Sequence, residues 1–168
     1  MGAGCCGTSR RSDALAAAAR VRVRRVIAVD TNLLVYAHRR EAPFHERSVD
    51  VLKPLVAGVA GNWAIPWPCV HEFLATVTRP LWREPLSTND AVMAVERLLA
   101  SPTVELLGET DDHWDRLSKV LSARAVAGPR VHDARIAIIC LGHGVRELWT
   151  ADRDFGAFPE LTVRNPLW

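Results

Sequence analysis

Apolar positions along this chain fall into short β-branched runs separated by longer stretches with helical spacing. The strand-like runs are Val26–Val29, Trp63–Ile65, Thr103–Leu106, Glu147–Thr150 and Leu161–Val163, each bounded by turn residues. Between them, Phe44–Val59 carries apolar residues at helical spacing, with Pro54 marking a kink or break. Val70–Thr78 reads as a second helix, opened by Pro68 and closed before Pro80. Thr88–Ala100 starts from Ser87 or Thr88 as its N-cap and holds Asp90 in its first turn. Thr110–Ala127 opens on Thr110, gathers Asp111, Asp112 and Asp115 near its positive end, and stops at Gly128 and Pro129. The last helix, His132–His143, ends among Gly142 and Gly144.

Strands alternating with helices predict βαβ units, hence an α/β fold with a mainly parallel sheet and helices on both faces. In such a sheet the functional crevice lies outside the carboxyl ends of the strands. Asp30 closes the first strand, and Asp152 follows Thr150 by two residues, so both belong to that edge. No repeat, linker or low-complexity block interrupts residues 25–168, which read as one domain.

Length and composition agree with one soluble core: 168 residues, 49% hydrophobic and 24% charged. No apolar run approaches the roughly 20 residues needed to span a bilayer, so no membrane role is expected. The formal charge of +2 is misleading, because residues 1–25 hold six Arg against one Asp. The remaining 15 Lys and Arg and 18 Asp and Glu leave residues 26–168 at −3. Basicity therefore does not by itself argue for nucleic acid. Cys5 and Cys6 are adjacent while Cys69 and Cys140 stand alone in apolar segments, without a CxxC, which fits small core residues and a reducing cytoplasm. Residues 1–24 lack a convincing signal or lipidation pattern and read as a disordered or partly helical extension, or an overlong start.

Four acids in four unrelated segments carry the candidate chemistry: Asp30 in VIAVDTNLLVYAH, Glu72 in PCVHEFLATV, Asp133 in VHDARIAIICLGHG and Asp152 in LWTADRDF. Each also has an ordinary explanation. Asp30, with Thr31 and Asn32, suits a helix cap; Glu72 suits a solvated position beside the apolar face of Val70, Phe73, Leu74 and Val77. Asp133 is favoured by the helix dipole, and Asp152 and Asp154 suit a turn. Jointly they say more. Ile136, Ala137 and Cys140 share a face with Asp133, which places that acid at the rim of the core. Carboxylates crowded at one sheet edge repel, and a divalent cation removes the conflict. Oxygen-only ligation suits Mg²⁺ or Mn²⁺; a zinc site of the HExxH type fails because position 75 is Ala.

The segments VIAVDTNLLVYAH, PWPCVHEFLATVTRP, VHDARIAI and LWTADRDF closely resemble the PIN domain, particularly the VapC toxins of bacterial toxin–antitoxin pairs. The likeness runs over about residues 26–168, and the closing VRNPLW also looks like a terminal strand of such toxins. It implies a three-layer α/β/α sandwich and makes Asp30, Glu72, Asp133 and Asp152 a metal-binding catalytic quartet, with Asp154 as a further acid or a brace of the turn. Thr31 matches the hydroxyl residue after the first acid, placed to orient a ligand or water. The implied activity is Mg²⁺- or Mn²⁺-dependent hydrolysis of RNA, in a cytoplasmic homodimer restrained by a cognate VapB-type antitoxin.

RNA approaching an acidic pocket needs cations, and Arg79, Arg130, Arg135 and Arg153 are the candidates for phosphate contacts, with Arg39, Arg40 and Arg83 also near the acidic segments. His132, beside Asp133, is a candidate for substrate contact, though capping or packing is the simpler role. Trp82, between Pro80 and Pro85, is expected to lie exposed in a partner surface. A haloacid-dehalogenase-type phosphatase would need an Asp where Asn32 stands. A non-catalytic PIN scaffold and a DNA-cleaving relative remain the competing readings.

Overall fold

The computed structural model describes residues 26–168, and the extension expected over residues 1–24 lies outside the described residues. The elements run β1 (Ile27–Val29), α1 (Thr31–His38), α2 (His45–Val56), β2 (Trp63–Pro66), α3 (Trp67–Val77) and α4 (Thr88–Leu99). They continue with β3 (Val104–Leu107), α5 (His113–Arg124), α6 (Arg130–Gly142), β4 (Glu147–Trp149), a 3-10 turn at Asp154–Ala157 and β5 (Thr162–Arg164). Five strands form one sheet in the order β3-β2-β1-β4-β5. Every neighbouring pair is parallel, with Ala28 level with both Ala64 and Leu148, and Trp149 level with Arg164.

The order reverses at β1. The chain moves outward through β2 to β3, returns past β1 to β4, and ends at β5. Right-handed crossovers then put α1 to α4 on one face and α5 and α6 on the other, the expected three layers. Helix contacts mostly follow that division: α1 packs on α2 and α3, α3 on α4, and α5 on α6, while α3 also touches α6 of the other layer. Where a strand order reverses, the adjoining loops diverge to opposite faces and leave a crevice at the carboxyl edge.

The sheet centre is apolar because the strands are covered on both faces. Val29, Ile65 and Leu148 are all but fully buried, together with Leu33, Phe73 and Ile139 from the helices. Burying each such side chain contributes roughly 1.5–3 kcal/mol. Trp63 is fully buried as well, and its indole N–H donates to the Ser101 hydroxyl at 3.1 Å, so the core ring leaves no orphaned donor.

Three local expectations change. α1 was not among the predicted helices: its Thr31, Leu33, Leu34 and Val35 are all buried, so it lacks a polar stripe to betray its period. Pro54 neither breaks nor ends α2, since the helix runs two residues beyond it. α5 begins at His113, because Thr110 and Asp112 form a turn in front of it, with the Thr110 hydroxyl donating to Asp112 at 2.7 Å.

α5 ends in a left-handed residue, Ala125, at φ 50° and ψ 42°. A Cβ makes that conformation costly, and glycine is the usual occupant of such a cap. Ala125→Gly is expected to raise stability by about 0.5–1 kcal/mol in denaturant titration, after allowing for the looser unfolded chain.

Candidate active site at the carboxyl edge of the sheet

Asp30 directly follows the central strand, and its backbone N–H extends the ladder to the Trp149 carbonyl at 3.0 Å. It is 5% exposed and serves as the N-cap of α1. Its Oδ1 accepts from the Thr31 N–H at 2.7 Å, and the Cys69 thiol lies 3.6 Å from the same oxygen. Its Oδ2 accepts from the Asn32 amide at 2.7 Å and the Thr150 hydroxyl at 2.6 Å. Both carboxylate oxygens are thus held by protein donors, the Cys69 thiol making the longest of the four contacts. Burial still dominates and pushes the Asp30 pKa up to about 6. The bonds from Thr150 and Thr31 pull it down without outweighing desolvation, and the Glu72 charge adds to the rise.

The other acids are anchored to this first one. Thr31 donates its hydroxyl to Glu72 Oε2 at 2.7 Å, which ties α3 to the start of α1. Thr150 Oγ1 accepts from the Asp152 N–H at 2.9 Å and from the Asn32 amide at 2.8 Å. Asn32 Oδ1 in turn accepts from the Ala151 N–H at 3.1 Å, and Asp152 Oδ1 accepts from the Asp154 N–H at 2.8 Å. The loop after β4 is thereby laced to the loop after β1. Asp133 sits in the first turn of α6, half-buried, at the core rim as expected. Burial raises its pKa first, followed by the charges of Asp152, Asp154 and Glu72, so its carboxyl feels acids from two other segments.

All five acids line one cavity of about 810 Å³. Helical spacing explains how. α3 presents Pro68, His71, Glu72, Ala75 and Thr76 to it, while Cys69, Val70, Phe73 and Val77 turn to the core. α6 presents His132, Asp133 and Ile136, and α1 presents Asn32, Val35 and Tyr36. Among the candidate arginines, Arg135 lines the cavity and donates to Glu109 at 2.7 Å. Arg130 faces Asp154 at 3.4 Å, which gives that acid a partner in the turn. Arg79 and Arg153 are exposed outside the cavity lining. Trp82 departs from its expected exposure: it is half-buried and lines the cavity, whereas Trp114 and Trp168 are the more open rings.

The donor chemistry fits a hard divalent cation. Burial drives the Cys69 thiol well above its ordinary range and the Cys140 thiol to about 12, so neither offers a thiolate. Oxygen donors remain. Among the described residues, the ion pairs place an arginine on Asp154 but none on Asp30, Glu72, Asp133 or Asp152. Four carboxylates without a cationic side chain, two of them with pKa values raised, are charge-compensated well by a divalent ion. The carboxylates stand apart: among the described residues no three His, Cys, Asp or Glu side chains converge into a ready-made cage.

Asn32, Thr150 and Cys69 are the site residues that sequence reasoning underrated. Asn32 and Thr150 had a readable signal, a polar side chain beside each strand-ending acid. Cys69 had none, since a buried cysteine in an apolar helix face looks like packing alone.

The sequence matches the PIN-domain family over residues 27–161. It is 34% identical over 143 residues to ribonuclease VapC43 of Mycobacterium tuberculosis, covering 84% of this chain and 96% of that one. The fold is shared with VapC20 of Mycobacterium tuberculosis, a sarcin-ricin loop cleaving toxin (TM-score 0.63, 19% identity, 83% and 99% of the two chains). It is shared too with VapBC-1 from nontypeable Haemophilus influenzae (TM-score 0.59, 16% identity, 84% and 98%). This chain belongs to the PIN-domain family and stands among its VapC ribonucleases. Nucleases of this family depend on a divalent metal.

Thr150→Val keeps the shape of a residue that is 1% exposed but removes one donor to Asp30 and the acceptor for Asn32 and Asp152. A loss of about 1–3 kcal/mol is expected in chemical denaturation. The raised pKa of Asp30 also makes metal-free stability depend on pH. The fold favours the protonated acid, so this contribution is complete below pH 3.8, the unfolded value, and is lost as pH rises through about 6. Its size is on the order of 3 kcal/mol. Unfolding in EDTA across that window should show the decline in wild type, and Asp30→Asn should lack this component.

Proposed function

We propose that the acid cluster is the catalytic centre of an Mg²⁺- or Mn²⁺-dependent endoribonuclease, with Asp30, Glu72, Asp133 and Asp152 as its ligand set. The observation that carries this reading is the joint one: acids from four separate segments line one cavity and have no arginine partner among the described residues, while burial, with neighbouring carboxylate charges behind it, raises the pKa values of Asp30 and Asp133. A divalent cation bound there supplies charge for the scissile phosphate, acidifies water for attack and stabilises the leaving oxygen.

The chain's own residues set the stage for that chemistry. Asp30 is held immobile by four donors, so it is a rigid reference point for the rest. Thr31 holds Glu72 against it, and Thr150 holds the backbone of Asp152. One of the carboxylates exposed to the cavity accepts the proton of the attacking water. Arg135 contacts a phosphate after exchanging its Glu109 partner, and Arg79, Arg130 and Arg153 supply weaker contacts further out. Water adds at phosphorus and the bond to the 3′-oxygen breaks, that oxygen taking a proton from solvent, which leaves a 5′-phosphate and a 3′-hydroxyl.

The protein acts, on this reading, as the toxin of a toxin–antitoxin pair in the cytoplasm, as a homodimer that cuts RNA required for translation. Among the described residues no helix is long and apolar enough to cross a membrane. A cognate VapB-type antitoxin restrains it, with a basic side chain entering the acid-lined cavity.

Purified protein incubated with structured RNA and single-stranded DNA, in Mg²⁺, Mn²⁺ or EDTA, tests the core of this. RNA cleavage is expected only with metal, and Asp30→Asn, Glu72→Gln, Asp133→Asn and Asp152→Asn should each lower the rate at least about 100-fold. Cleavage that persists in EDTA, or in all four variants, would overturn the assignment. RNA bound but never cut would point instead to a scaffold.

A further inference from the structure

The cavity is longer than its acids. Beyond Glu72 and Asp30 it continues between α1 and α3 along Val35, Tyr36, Ala75, Thr76 and Trp82, a wall without a charged group. From Glu72 to Thr76 the helix advances about 6 Å, so the two ends of the cavity are neighbours at nucleotide scale.

Trp82 is unusually well fixed for a loop residue. Its indole N–H donates to the Thr76 carbonyl at 2.8 Å. The Arg39 guanidinium lies 4.7 Å from its ring centroid, within cation–π range. Arg39 is itself 5% exposed and donates to the Glu84 carbonyl at 2.8 Å and to the Glu41 carboxylate, so it pins the segment after α3 onto the end of α1. Among the described residues its Nε has no hydrogen-bond partner. A buried guanidinium with an unmade bond is costly, and here it holds a half-buried indole at a cavity wall. Tyr36 is braced in the same way by Phe44, at 5.7 Å between centroids.

A flat, uncharged, pre-positioned aromatic wall beside a carboxylate cluster suits a planar neutral group attached to a phosphate. We propose that the Tyr36–Trp82 end of the cavity is a stacking subsite for one unpaired nucleobase next to the scissile phosphate, with Trp82 as the platform and Arg39 as its positioning residue. This rests on the ribonuclease reading for the nature of the strand. Stacking holds bases of any sequence and requires them unpaired, so this end directs cleavage to loops and single strands.

The test measures binding, separately from cleavage. A labelled short single-stranded RNA of mixed sequence is titrated with Asp133→Asn protein in Mg²⁺, with and without Trp82→Ala or Trp82→Phe. The same titrations use RNAs in which single positions are made abasic. The expected result is about tenfold weaker binding for Trp82→Ala, with Trp82→Phe keeping most of the affinity. One abasic position should erase the difference between the protein that retains Trp82 and its alanine variant. Equal binding by the alanine variant, no measurable RNA binding, or an alanine defect equally large with every abasic RNA would overturn the subsite. Failure of wild type to cut RNA would instead count against the ribonuclease reading, because the binding comparison does not depend on turnover.

Discussion

Everything at the functional edge depends on one carboxylate kept at the end of a buried strand. Water would solvate Asp30 far better than the protein core does, and its pKa near 6 records that cost. The fold tolerates it because four donors converge from α1, α3 and the segment after β4. Those same bonds tie the diverging loops of the sheet together. A hydrophobic residue at position 30 would relieve the desolvation and leave Asn32 and Thr150 without their shared acceptor.

The order of the strands turns that bonding into a site. Because β1 lies between β2 and β4, residues following all three emerge close together, although Asp30 and Thr150 are 120 positions apart in the chain. Asp30 is buried, Asp133 half-buried, and Glu72, Asp152 and Asp154 open to the cavity. The cluster therefore has a fixed floor and a more adaptable rim. The floor is crowded with protein donors, and the rim leaves oxygens for a cation and substrate.

The net charge of −3 over residues 26–168 remains unfavourable to a polyanion. Two features offset it locally. Arg135 stands at the cavity, and the wall leading away from the acids is uncharged and aromatic, so the stacking proposed for it is indifferent to charge. Arg39, read from sequence as a free cation near the acidic segments, is instead buried under Trp82. Its charge serves the architecture of that wall and has little reach into solvent.

Strand positions were legible in the chain because short β-branched apolar runs end at turn residues, as strands covered on both faces do. The acids were legible because each interrupts or borders an apolar stretch. α1 was not, since a helix buried on nearly every side loses the polar stripe that reveals its turn. Sequence alone also set which residue types stood available as ligands, and it excluded the zinc and phosphatase arrangements through Ala75 and Asn32. Which side chains meet was decided only by tertiary structure. The Thr31–Glu72 and Asp30–Thr150 bonds join positions 41 and 120 residues apart, and no local pattern encodes such pairings. The same holds for the arginines: only packing determined that Arg135 lines the cavity, Arg130 pairs with Asp154, and Arg39 lies beneath a tryptophan.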